Sequence, residues 1–437
     1  MTHPSSQLPL NTAPVRVRSH WIDPGQEING ISKTVAVTDS LNVCAGSRHF
    51  ATVTQYARPF PMDQRPRVLL LIPHLGGGGA ERVIVLLTRG LSAHKYDLHL
   101  GVVTGSVIAP DEVPSWVRIH ALGAPRVRSA ALPLLRLVRQ LEPDVILSGM
   151  AHLNFLVLLL RPLFPRKTRV MVRQNATVSG DLASCSVPRY TGIFYRLLYP
   201  AADRIVCQTR TMATDLATWL GVGETQLEVL PNPVDADAIR QVRPDAESHW
   251  WGPGPHLLAV GRLSREKGFD LLLESFASLR LKFPEAQLTI LGAGPEREAL
   301  LALRALLQLE GSVQFEGHVP HPEQFFAGAS LFVLPSRQDA LPNALLEAAA
   351  GGLPLVALPA SEGVANLLAG KLGAWLGADV SSRALTQALL EALSSIESGQ
   401  RFPHSWVESF RMDCAVEGYE RLIDAMLDSQ ILRERAR

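Results

Sequence analysis

Residues 70–83 read LLIPHLGGGGAERV. The apolar half continues a run that begins at Arg67 and has the character of a buried strand. The other half leads into AERVIVLLTRGLS, where apolar positions recur at helical spacing. Between them stand Gly76, Gly77, Gly78 and Gly79. Strand, glycine turn and helix form the opening unit of an α/β fold. Glycines let backbone approach a ligand closely, and the free amides at a helix start present donors and a positive dipole end to an anion. The pattern is not GxxxxGKS and places no acid for the ribose of a dinucleotide, so neither a P-loop ATPase nor a nicotinamide site follows. A tight turn without ligand contact is the competing reading, and Glu81 reads as an acid favouring the first helical turn.

Outward from this unit the alternation continues: DLHLGVV, DVILS, TRVMV, DRIVC and LEVLP are strand-like, with amphipathic segments between them. HWWGPGP interrupts the series, and its Pro and Gly mark a boundary. A second series then runs HLLAV, GFDLLLESFASLRLKF, AQLTILG, EREALLALRALLQL, SVQFEG, LFVLP and LPLVAL. Two α/β domains are expected, over 66–250 and 251–405, after a poorly ordered extension over 1–65. A helical segment over 406–437 is expected to pack back on either domain. The 437 residues, 47% of them hydrophobic, supply enough apolar material for two cores. Lys plus Arg number 42 against 41 Asp plus Glu, so the overall charge does not advertise nucleic acid as a partner. Four cysteines without close pairing argue against a disulfide framework or a zinc ribbon. The longest central apolar run, FLVLLL, falls far short of a membrane span, and the first residues lack the order of a signal peptide. A cytoplasmic chain is expected.

Two motifs of the second series carry chemistry. In GRLSREKG, Arg262 and Lys267 flank a short turn after a strand. Arg offers a planar fork and Lys a mobile point charge, and together they can compensate a departing diphosphate. Solvated loop charge is the bland alternative, and Arg265 and Glu266 are read as surface residues. In SRQDALPNALLEAAAGGLPLVAL, Pro342 fits the first turn of a helix that Gly351 and Gly352 terminate. Asp339 then lies in the preceding loop and Glu347 inside the helix. Both carboxylates can accept sugar or ribose hydroxyls, or they can be an ordinary helix-start acid and a solvated Glu.

HLGGGGAERV, LPNPVD, GRLSREKG, LGAGPERE and SRQDALPNALLEAAAGGLPLVAL, in this order over about residues 66–430, resemble the GT-B nucleotide-sugar glycosyltransferases, in particular the retaining group known as glycosyltransferase family four. The resemblance implies two Rossmann-like domains facing one another across a cleft. It also implies that Arg262 and Lys267 neutralise the diphosphate, that Glu347 binds ribose hydroxyls and that Asp339 contacts the transferred sugar. Asp339 stands where the family's acidic signature has Glu, one methylene longer. Gly292 and Gly294 match the donor-domain loop, and His152 in SGMAHLNF matches a histidine that approaches the donor sugar.

Arg173 and Asn175, in VRQNAT, follow a strand and are further cleft candidates. Asp235 and Asp237 have DxD spacing but sit where Asp can cap a helix, and no obligatory metal or tightly bound cofactor is expected. The implied reaction moves a hexosyl or acetamidohexosyl group from a nucleotide diphosphate sugar, UDP leading and GDP second, to a lipid-linked or polysaccharide acceptor. Its implied setting is the bacterial envelope, in lipopolysaccharide or exopolysaccharide synthesis. Arg126, Arg128, Arg136 and Arg139 beside the leucines of ALPLLRLVR suggest peripheral contact with an anionic membrane, on the inner face of the plasma membrane. A nucleotide-sugar 2-epimerase and a noncatalytic carbohydrate-binding or assembly protein are the alternatives, and the motifs carry no information on oligomeric state.

Overall fold

The computed structural model describes residues 65–76, 78–104, 113–183, 191–221, 223–242, 250 and 252–435. The expected extension over 1–65, except Arg65, lies outside the described residues, and so does Gly77.

The first series builds seven strands: β1 (Arg67–Ile72), β2 (Asp97–Val102), β3 (Arg118–Ala121), β4 (Val145–Ser148), β5 (Arg169–Arg173), β6 (Arg204–Cys207) and β7 (Leu227–Val229). Helices α1 (Gly79–Gly90), α2 (Ala131–Leu141), α3 (Ala151–Leu160), α4 (Val178–Ala183), α5 (Thr191–Leu198) and α6 (Arg210–Leu220) run among them, and α7 (Ala236–Gln241) follows. The strands form one sheet in the order β3-β2-β1-β4-β5-β6-β7, with parallel pairing throughout. The strands carry almost continuous apolar runs, as expected of strands covered on both faces. Val68, Leu70 and Ile72 enter one core and Leu69 and Leu71 the other.

The second series repeats the plan. Strands β8 (His256–Val260), β9 (Gln287–Leu291), β10 (Val313–Gly317), β11 (Leu331–Leu334), β12 (Leu355–Ala357) and β13 (Ala374–Leu376) form a parallel sheet in the order β10-β9-β8-β11-β12-β13. Its helices are α8 (Phe269–Leu279), α9 (Arg297–Leu306), α10 (Asn343–Ala350), α11 (Glu362–Leu368) and α12 (Ser382–Ser395). Ser361 and Ser381 cap α11 and α12 by accepting from the amides three residues on.

The short strands β3 and β13 escape the sequence reading because both lie at sheet edges, where RIHA and AWL are only partly buried and lack a full apolar run.

The chain crosses back at its end. The helical segment expected after residue 405 is a 3-10 turn, Ser405–Phe410, and the long helix α13 (Met412–Arg435). Val416, Tyr419, Leu422, Ile423 and Met426 of α13 share a core with Val83 and Leu87 of α1, so α13 covers the first sheet rather than the second. Among the described residues no helix is long and apolar enough to cross a membrane.

In each sheet the strand order reverses direction between two neighbours, β1 and β4 in the first and β8 and β11 in the second. Loops leaving the carboxyl ends of such strands diverge to opposite faces and leave a crevice between them. The first crevice is bounded by the glycine loop after β1 and the segment carrying His152 after β4. The second lies between the turn holding Arg262 and Lys267 after β8 and the loop holding Asp339 after β11.

Candidate active site

The second crevice is built by backbone before any side chain takes part. Gly268 ends the 3-10 turn Arg265–Lys267 with a φ of +68°, and a Cβ there would drive into the Pro335 carbonyl oxygen. The loop after β11 therefore lies directly on the turn after β8. The Glu266 carbonyl accepts from the amides of Arg337 (2.8 Å) and Gln338 (3.2 Å). Arg337 grips Asp270 through two 2.6 Å hydrogen bonds, and this pairing holds the Asp270 carboxyl below its usual range against the opposing effect of burial. Glu266, expected on the surface, is half-buried and takes a hydrogen bond from the Ser264 hydroxyl.

This clamp brings Lys267 and Asp339 together. The Lys267 ammonium hydrogen-bonds the Asp339 carboxylate, and neither side chain is fully exposed. Arg262 projects from the same turn into solvent, and among the described residues its guanidinium has no hydrogen-bond or ion-pair partner. Gly292 and Gly294 act through shape: a Cβ on either would run into the carbonyl of Gly261 or Leu263. They hold the Arg262 turn against the loop after β9, a structural part distinct from direct ligand contact.

Glu347 lies on α10 and is buried. Burial raises its carboxyl pKa, the Arg82 cation opposes that rise and the neighbouring Glu323 adds to it. Arg82, on α1 of the first sheet, reaches Glu347 with its Nε at 3.2 Å and Glu323 with an Nη at 3.5 Å. One helical turn earlier, the Asn343 amide donates to the Gly79 carbonyl at 2.7 Å. The two crevices thus meet where the glycine loop and the start of α10 touch.

The glycine loop is more occupied than its sequence suggests. Gly76 N–H donates to His74 Nδ1 at 3.0 Å, so this amide is already engaged. His74 Nε2 lies 3.4 Å from Glu81, which is buried and so does more than favour the helix electrostatically. Gly78 caps α1 in an extended conformation, and a side chain there would meet the Glu81 carboxylate. His152 stands in the first turn of α3 within the fields of Glu81 and His74. His152 is exposed, yet desolvation by its neighbours lowers its pKa, with Glu81 opposing.

Arg173 requires a correction. It is fully buried, not exposed on the cleft. Its guanidinium donates to Asn175 and Asn232, and the Tyr419 hydroxyl of α13 lies near it but outside hydrogen-bonding geometry. Asn175 is half-buried, accepts also from Gln208 at 3.1 Å and donates to the Gly149 carbonyl. Asn232 continues the network by donating to Asn343 and to the Leu341 carbonyl. This buried cation therefore ties β5, the LPNP segment and α10 together from below the cleft. Asp235 caps α7 through the Ala238 amide, and Asp237 forms a two-point pair with Arg411, so both carboxylates of the DxD spacing have structural partners.

Two family models match the chain: one described as Glycosyltransferase Family 4 over residues 77–238, the other as Glycosyl transferases group 1 over residues 254–395. The chain belongs to glycosyltransferase family four. This glycosyltransferase is similar to the N-acetylgalactosamine-N,N'-diacetylbacillosaminyl-diphospho-undecaprenol 4-alpha-N-acetylgalactosaminyltransferase of Campylobacter jejuni. The two are 29% identical over 68% of this chain and 82% of the relative. It is also 29% identical to the lipopolysaccharide core biosynthesis glycosyltransferase LpsE of Rhizobium meliloti, over 65% of this chain and 76% of the relative. Among solved structures, HepE of Anabaena, determined with UDP and glucose, superposes with a TM-score of 0.66. That likeness spans 82% of this chain and 99% of the other at 16% identity, and it shows a shared GT-B fold.

Proposed function

We propose that the glycosyltransferase moves a hexosyl or acetamidohexosyl group from a UDP-sugar to a lipid-linked or polysaccharide acceptor of the bacterial envelope, with retention of anomeric configuration. The observation that carries this reading is the Lys267–Asp339 pair held against the start of α10. In this pair a cation suited to the diphosphate stands next to a carboxylate suited to sugar hydroxyls, on the loop that leads into the helix carrying the buried acid assigned to the ribose. The relatives support the donor and acceptor classes: one is named for transfer to a diphospho-undecaprenol glycan, another for the lipopolysaccharide core, and the Anabaena structure holds UDP.

In this reading the acceptor hydroxyl oxygen bonds to the anomeric carbon as the bond from that carbon to the β-phosphate oxygen breaks. UDP leaves with the electron pair, and its phosphate takes the hydroxyl proton. Lys267, Arg262 and the amides of the glycine loop that remain free meet the developing negative charge, stabilisation of the kind that counts most where water is excluded. Asp339 orients the sugar and His152 approaches it from the first sheet. Arg126, Arg128, Arg136 and Arg139 are all exposed beside Leu132, which is 64% exposed on α2, a surface suited to reversible contact with anionic lipid.

Purified protein incubated with UDP- and GDP-sugars and envelope lipid extract, followed by mass spectrometry and anomer analysis, tests the proposal. UDP release matched by one added sugar of retained configuration is the expected result. An inverted product overturns the mechanism, an epimerised donor without transfer selects the epimerase, and binding without product selects the noncatalytic reading.

A further inference from the structure

Glu347 belongs to the second sheet, yet the cation beside it comes from the first. Arg82 is held at three points on the second half: Nε on Glu347 at 3.2 Å, one Nη on Glu323 at 3.5 Å and the other on the Pro320 carbonyl at 3.4 Å. An arginine fixed in this way is a poor competitor for an incoming ligand and a good anchor for a carboxylate. It engages Glu347 through Oε1 and leaves the second oxygen for another donor.

Removing Arg82 would leave two acids facing each other in a nearly dry setting, since the Glu347 and Glu323 side chains are only 10% and 14% exposed. Among the described residues, the other groups near Glu347 offer no replacement cation. His321 is turned to the far side of Glu323, with Nδ1 3.0 Å from its Oε1. Arg240 of α7 pairs with Glu408 and reaches the Ala350 carbonyl at the other end of α10.

We infer that Arg82 is a positioning residue of the donor site: the first sheet supplies the countercharge that keeps Glu347 an oriented, anionic acceptor for the ribose hydroxyls. Nucleotide affinity is thereby tied to the seam between α1 and α10, although the nucleotide itself is assigned to the second sheet. This inference rests on the ribose role proposed above for Glu347. It concerns hydroxyl recognition, so the diphosphate contacts serve as an internal control.

The experiment compares binding of UDP and 2′,3′-dideoxy-UDP by calorimetry, from pH 5 to 8, to the unaltered protein, Arg82→Gln and Arg82→Lys. The two nucleotides share their phosphates, so the ratio of their affinities isolates the hydroxyl contacts. The unaltered protein is expected to prefer UDP at neutral pH. Arg82→Gln should lower that preference about tenfold, equivalent to about 1.4 kcal/mol. Burial and Glu323 both raise the Glu347 pKa and, among the described residues, only Arg82 opposes them, so in Arg82→Gln the carboxylate forms at higher pH. The lost preference should therefore return as pH rises. Arg82→Lys should retain most of it, and adding Glu323→Gln to Arg82→Gln should recover part of it.

Equal weakening of both nucleotides by Arg82→Gln, or an unchanged ratio at every pH, overturns the inference in favour of a merely structural tie. Should Arg82→Gln fail to fold, loss of the preference in folded Arg82→Lys, or a pH profile left unaltered by Glu323→Gln, overturns it equally. Equal binding of the two nucleotides by the unaltered protein refutes the ribose assignment itself, and the inference with it.

Discussion

Replacing Lys267 by Gln keeps the length of the side chain close to that of the original and removes the cation. Two separate costs follow, and the structure sets their sizes apart. The ammonium pairs with Asp339, but the side chains are 27% and 14% exposed, so the pair is screened by solvent on one side. Its loss should cost about 1 kcal/mol of stability, the upper end for solvent-exposed pairs. Such a loss moves the melting temperature by only a few degrees. The catalytic cost is larger: a charge-assisted hydrogen bond to the leaving diphosphate contributes about 1.5 to 3 kcal/mol. Applied to the barrier, that is about tenfold to 150-fold in kcat/KM. UDP release should therefore fall at least tenfold in a protein whose thermal unfolding remains cooperative. Part of that loss arises because Asp339, left without its cation, faces the diphosphate as a bare negative charge. The double variant Lys267→Gln, Asp339→Asn should accordingly bind UDP more tightly than the single one. A folded Lys267→Gln protein within threefold of normal turnover would refute the diphosphate role.

Asp339→Asn removes the charge at nearly constant size and should impair turnover, whereas Asp339→Glu adds one methylene and should retain activity with a changed ranking of donor sugars; rates across a donor panel separate the two. Gly268→Ala forces a side chain into a left-handed conformation, about 1 to 2 kcal/mol, and against the Pro335 carbonyl, about 1 to 3 kcal/mol more by analogy with overpacking. A denaturant titration showing less than about 1 kcal/mol of destabilisation contradicts the close approach of the two loops. Anionic vesicles should float more protein than neutral ones, less so in high salt, and neutralising Arg126, Arg128, Arg136 and Arg139 together should abolish the difference. Retention of binding by that variant removes this surface from consideration.

What could be read from the sequence is what local pattern encodes. Almost wholly apolar strands such as RVLLLI, glycines between strand and helix, and Pro342 at a helix start each carry their structural meaning within a few residues. That Lys267 and Asp339 serve one site was accessible because strand-to-helix loops at a sheet's carboxyl edge converge, whereas their direct pairing appears only in the structure. Arg82 was not, because on α1 it reads as one more polar residue opposite an apolar stripe, and its partners lie on the other sheet. Asn232 and Asn343 join across more than a hundred residues for the same reason. Arg173 misled in the opposite direction: a cation at a strand end suggests a cleft, yet its side chain is fully buried, with Asn175, Asn232 and Tyr419 of the returning α13 around it. His74 offered a faint signal, a polar residue just before the glycines, but its grip on Gly76 depends on how the loop folds back.

The return of α13 to the first sheet also bears on how the chain is made. β1 to β7 are synthesised before the second sheet, yet one of their two cores includes Val416, Tyr419, Leu422, Ile423 and Met426. About 180 residues separate the end of β7 from α13, and at roughly 5 to 20 residues per second they take about 10 to 40 seconds to emerge. Throughout that interval Val83, Leu87 and their neighbours present an uncovered apolar face. The second sheet, whose strands and helices are contiguous in the chain, can close first. In this protein the half that leaves the ribosome first is therefore completed last, and its unfinished face is where nascent-chain chaperones have the longest opportunity to bind.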